Sequence, residues 1–103
     1  MLTPSFSFKV EDKEYSITPT FGVHDEIEKA LNKTLYNACL EAEAFSISDL
    51  FKVYRILPCK SDFSEDQLKN WIALNRNEAN KQIAGLVIFL LLPQKQVDAV
   101  KKN

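Results

Sequence analysis

The sequence predicts an α+β fold that is mostly α, an N-terminal antiparallel β-hairpin packed on about five short helices. Three observations predict it. Apolar and polar residues alternate with period two through residues 5–18. Behind them, successive stretches carry apolar residues at helical spacing, each opened by a Ser, Thr or Asn. Hydrophobic residues make up 46% of the chain and charged residues 26%, an ordinary globular balance. The 103 residues suit one domain, 1–103, divided into a hairpin (5–18), a helical part (20–93) and a short frayed C-terminal segment (94–103).

In the hairpin, Phe6, Phe8 and Val10 alternate with Ser5, Ser7 and Lys9, and Tyr15 and Ile17 with Glu14, Ser16 and Thr18. Each run therefore has one apolar face. The polar stretch Glu11-Asp12-Lys13-Glu14 is short enough for a tight turn, so residues 5–10 are expected to pair with 14–18. A lone hairpin is marginal in water, so its aromatic face has to pack on the helices.

Pro19 ends the second strand and Thr20 is placed to cap a helix over Phe21 to Leu31, with Val23, Ile27, Ala30 and Leu31 in one stripe and Asn32-Lys33 at its end. Thr34 suits the cap of a second, with Leu35, Ala38, Cys39 and Ala42 on one face. Ser46 or Ser48 starts a third, lined by Leu50, Val53, Tyr54 and Leu57 and stopped by Pro58. Ser64 with Gln67 forms a capping-box pattern for a fourth, burying Leu68, Trp71 and Ile72. Asn77 opens a fifth that runs to about Leu92, polar at first and apolar on all sides at its end. Val97 and Val100 are expected to hold down the last segment.

Composition narrows the chemistry. Net charge is −1, from 13 basic and 14 acidic residues, which gives no field to attract nucleic acid. Only 2 Gly are present, and no phosphate-cradling glycine loop, nucleophile elbow or HExxH pattern occurs. The apolar run Ile83 to Leu92 is half the length needed to span a bilayer, so no membrane insertion is expected. The N-terminus has no basic region followed by an apolar core, so no signal peptide is expected, and free thiols in the cytoplasm are the simplest setting.

His24 has only Asp25 and Glu26 beside it in sequence, and neighbours one and two apart on a helix do not face each other. Cys39 lies on an apolar stripe and is expected buried, while Cys59, between Pro58 and Lys60, is expected exposed. Glu41, Glu43, Asp62, Glu65 and Asp66 read as solvated or helix-start acids. No catalytic, cofactor-binding or metal-binding residues are expected. Trp71 and the apolar end of the fifth helix, at Phe89 and Leu92, are the candidate partner-binding residues, because so small a domain has little interior with which to cover them. A second copy of the chain is a further possible partner.

The segment from Phe6 to Leu35 carries a recurrent pattern: Lys13-Glu14-Tyr15, then Pro19-Thr20-Phe21-Gly22, then Glu26-Ile27-Glu28 with Ala30-Leu31, then Lys33-Thr34-Leu35. It resembles the N-terminal region of small phage tail assembly chaperones of the gene-transfer-agent type. The resemblance covers about a third of the chain. Relatives often have Asp-Gly at the hairpin tip, where this chain has Asp12-Lys13, and Gly where it has Asn32. The first difference predicts a longer or differently shaped turn. The resemblance implies a virion-assembly role in a prophage or gene-transfer agent, holding the tape-measure protein soluble in the host cytoplasm, with no catalytic or cofactor residues. The alternatives are a structural tail, connector or tail-completion component of the virion and a thiol-dependent enzyme or regulator.

Overall fold

A computed structural model describes residues 5–92. The expected C-terminal segment 94–103 lies outside the described residues. Among those described, strands β1 (Phe6–Val10) and β2 (Lys13–Ile17) precede helices α1 (Phe21–Leu31), α2 (Leu35–Leu40), α3 (Ile47–Tyr54), α4 (Glu65–Leu74) and α5 (Arg76–Leu91), with a 3-10 helix over Pro58–Ser61. The fold is α+β and mostly α, as the alternation and the capping residues predict.

The hairpin pairs Phe6 with Ile17, Phe8 with Tyr15 and Val10 with Lys13 in antiparallel register. Its loop is therefore the two residues Glu11 and Asp12, with Lys13 drawn into the strand. The turn is tighter than the tip residues suggest, because Glu11 itself takes the left-handed backbone (φ 59°) that glycine usually supplies. A Cβ in that region costs about 1–2 kcal/mol, which the pairing has to offset.

The helix starts follow capping chemistry. The hydroxyls of Thr20, Thr34 and Ser46 accept from the backbone N–H of Val23, Asn37 and Asp49. Ser64 and Gln67 complete a reciprocal capping box. Asn32 ends α1 in the left-handed conformation (φ 57°), and the N–H of Lys33 reaches back to the carbonyl of Glu28. The fifth helix begins at Arg76, one residue before the expected Asn77, because Asn75 alone breaks the path from α4. α3 ends at Tyr54, four residues before Pro58, so the expected Leu57 lies beyond it, and Pro58 instead opens the 3-10 helix.

One hydrophobic cluster joins the elements: Phe8, Val10 and Ile17 from the hairpin, Ile27 and Leu31 from α1, Leu50, Val53 and Tyr54 from α3, and Ala79, Ile83, Leu86 and Val87 from α5 among others. Tyr54 stands at its centre, edge-on to Phe8 (6.2 Å) and Trp71 (5.4 Å). One side chain also ties the edge backbone of the hairpin to α5. Gln82 on α5 accepts from the N–H of Lys9 at 2.6 Å and donates to its carbonyl at 2.8 Å. In a two-residue hairpin the closing pair Val10–Lys13 is the hydrogen-bonded kind, so Lys9 aims both backbone groups out of the sheet edge. The Gln82 amide satisfies both as a neighbouring strand would, and it also donates to the hydroxyl of Tyr54 at 2.8 Å.

Candidate partner-binding surface

The apolar half of α5 has too many apolar sides for one small core to cover. Ala79, Ile83, Leu86 and Val87 follow i, i+4, i+7, i+8 spacing and are buried. A second side receives the hairpin. The rings of Phe6 and Phe89 lie 5.7 Å apart, and Gly85 makes room for that contact, since a Cβ there would meet the Phe6 ring at 3.3 Å. A third side is partly exposed, Ile88 by 47% and Leu92, one turn further, by 49%.

Helix α2 packs against α5 and adds a second apolar pair. Tyr36 is 67% and Leu40 71% exposed, again one turn apart. These two residues fall outside the stripe Leu35, Ala38, Cys39 and Ala42, so reading that stripe missed them. The signal was present: an apolar residue off the buried stripe of a short helix has nothing left to pack on. The same applies to Phe21 at the start of α1 and Leu74 at the end of α4, both exposed.

The three residues expected at a partner surface do not come together. Trp71 is 8% exposed and lies in the core against Tyr54. Tyr54 bonds to Ala79 and Gln82, so Trp71 sits level with the first half of α5. Phe89 and Leu92 follow Gln82 by seven and ten residues, about 10 and 15 Å along the axis. Phe89 is half-buried under Phe6, and Leu92 remains at the surface.

Cys59 reverses its expected place and Cys39 is less buried than expected. Cys59 is fully buried and Cys39 half-buried. The reason is the 3-10 helix behind Pro58, which turns the Cys59 thiol inward to donate to the carbonyl of Tyr54 at 3.5 Å. Burial pushes that thiol up to about 11, so it is protonated and unreactive at neutral pH. Cys39 sits at the margin of the α2 stripe, beside the buried Ala38.

The other titratable groups form structural pairs. His24 faces Glu28 at 3.4 Å, one turn along α1, rather than Asp25 or Glu26. Glu28 also accepts from the N–H of Leu35, tying α1 to α2. Lys33 bridges Glu41 at 2.8 Å and Asp49 at 3.5 Å. Asp62 accepts from the hydroxyl of Tyr15 at 2.7 Å, and partial burial together with this carboxylate pushes Tyr15 up to about 12. Among the described residues no group of three or more His, Cys, Asp or Glu side chains is placed to hold a metal ion, and no helix is long and apolar enough to cross a membrane.

No protein-family model, curated protein or solved structure matches this chain.

Proposed function

We propose that this protein is a non-catalytic protein-binding domain that serves as a tail assembly chaperone of a phage, prophage or gene-transfer agent. Its partner in this reading is the tape-measure protein, bound in the host cytoplasm while the tail tube assembles. The observation that carries the binding role is two exposed apolar pairs, Tyr36 and Leu40 on α2 and Ile88 on α5 with Leu92 just past its end. Large apolar side chains exposed at one-turn spacing suit the apolar stripe of a partner helix. The motif pattern from Lys13 to Leu35 supports the assignment to tail assembly.

A tape-measure protein is long, helical and prone to self-association. Covering its apolar stripe keeps it soluble, and a contact of modest area releases it when tube subunits compete. The buried, protonated Cys59 argues against a thiol mechanism at that residue.

Co-expression with the tape-measure protein of the same element tests the proposal. The wild-type chain is expected to raise the soluble fraction of that protein. The double variant Leu40→Glu with Ile88→Glu is expected to abolish the effect while its circular dichroism stays unchanged. No change in solubility with the wild-type chain overturns the reading. Recovery of the chain from purified particles would assign it to the tail structure instead.

A further inference from the structure

The two helices α3 and α4 run antiparallel, and a groove of about 380 Å³ opens along their outer seam. The direction is fixed at both ends: Arg55 at the end of α3 meets Glu65 at the start of α4 at 3.7 Å, and Arg76, just past the end of α4, donates to the carbonyl of Phe45 at 3.4 Å, just before the start of α3. Ile47, 42% exposed, and the half-buried Phe51 form the apolar floor, with the buried Ile72 behind them.

Cations outnumber carboxylates at the rim. The Phe51 ring has Lys69 at 5.0 Å and Arg55 at 5.8 Å from its centroid. Against these two cations the seam has one carboxylate, Glu65, already beside Arg55. Asp66 lies about 120° round α4 from Ile72 and faces solvent. Asp49 is turned to the opposite side of α3, toward Lys33. Lys69 makes no ion pair among the described residues. In a chain of net charge −1, a positive rim around an apolar floor is local organisation, and it selects the sign of what binds.

We infer that the α3–α4 groove docks an acidic amphipathic helix of another protein, its aliphatic side chains over Ile47 and Phe51 and its flanking carboxylates on Lys69 and Arg55. The length of the seam fits this occupant. α3 spans 8 residues and α4 spans 10, so a helix laid along the seam meets Ile47 and Phe51, one turn apart, together with the cations beside them, whereas a small anion would use only the cations. Lys69 is held over the Phe51 ring, so its ammonium is already oriented and loses little freedom on pairing. The groove is separate from the α2–α5 surface, and this inference stands whether or not the partner is a tail protein.

The test uses fluorescence polarisation of a labelled peptide of about 18 residues, long enough to hold a helix, with Leu at i, i+3, i+4 and i+7 and Glu on both flanks. The control peptide carries Lys in place of every Glu. The acidic peptide is expected to bind, the basic one to fail, and binding to weaken as salt rises. Lys69→Glu is expected to weaken it by about five-fold, and Ile47→Glu by more. Both side chains are exposed, and Lys69→Glu carries the test should Ile47→Glu fail to fold. Equal binding of the two peptides, no binding of either, or indifference to Lys69→Glu overturns the inference. So does self-association in sedimentation that Ile47→Glu abolishes, since the groove would then be occupied by a second copy. Loss of peptide binding with tape-measure solubility intact removes this inference alone, and the converse removes the tail reading alone.

Discussion

Replacing Gln82 with Leu should loosen the hold of α5 on the edge of the hairpin and lower the stability of the whole fold. The substitution keeps the bulk of the side chain and removes three hydrogen bonds, two to the backbone of Lys9 and one to the hydroxyl of Tyr54. The groups left behind do not suffer equally. Lys9 is exposed, so water reaches its N–H and carbonyl, and the pair costs about 1 kcal/mol or less. Tyr54 is fully buried, and its hydroxyl keeps only a long bond of 3.4 Å to the carbonyl of Ala79. Leaving it so poorly satisfied costs about 1–2 kcal/mol. The sum is about 1–3 kcal/mol, a large share of the roughly 5–15 kcal/mol that holds a domain together. It corresponds to a melting point lower by about 5–20 °C in a domain of this length. The chain has one tryptophan, Trp71, 5.4 Å from Tyr54, so its fluorescence in urea reports the affected region directly. A cycle with Tyr54→Phe separates the two parts. Once the hydroxyl is gone, Gln82→Leu should cost only the smaller share from Lys9. A loss below about 0.5 kcal/mol for Gln82→Leu would refute the assignment of Gln82 as the anchor of the sheet edge.

Four shorter predictions follow from the same geometry. Glu11→Gly should stabilise the chain by about 0.5–1 kcal/mol in urea denaturation, since it removes a left-handed Cβ at the tip, and a loss of stability would contradict the two-residue loop. In titration with a thiol reagent under native conditions, Cys39 should react and Cys59 should wait for unfolding, and rapid reaction of both would contradict the burial of Cys59. Trp71→Ala should cost about 3–5 kcal/mol in stability, read by thermal melting, as expected of a core side chain rather than a surface one. The folded state holds Tyr15 at about 12 against 10.0 for the free side chain, so its contribution to stability is present in full below pH 10.0 and falls as pH rises toward 12. Asp62→Asn should draw the absorbance titration of Tyr15 back toward 10.0, and an unchanged titration would deny the carboxylate its part.

Local order was legible in the sequence because it rests on neighbours in the chain. Thr20, Thr34 and Ser46 cap the helices they precede, Ser64 and Gln67 make their box, and Phe8, Val10 and Ile17 turn one face of the hairpin inward. Each of these is a contact within about one turn or one strand pair, so spacing alone determines it. The bounds of α1 and its Asn32 end are legible for the same reason. What the sequence left undetermined depended on residues far apart. Glu11 rather than a glycine takes the left-handed place in the tip because strand pairing imposes the turn. Cys59 is buried because β2 packs on the 3-10 helix behind Pro58, and nothing beside it in sequence indicates that contact. Gln82 looked like one more polar residue before an apolar run, yet it meets Lys9 across 73 positions. The candidate surfaces divide in the same way. Composition determined that α5 had more apolar sides than so small a core could cover. Only the packing decided that Trp71 and most of Phe89 are enclosed, that Ile88 and Leu92 are partly exposed, and that Lys69 and Arg55 meet over Phe51, because which side of a helix is left uncovered depends on which neighbours reach it first.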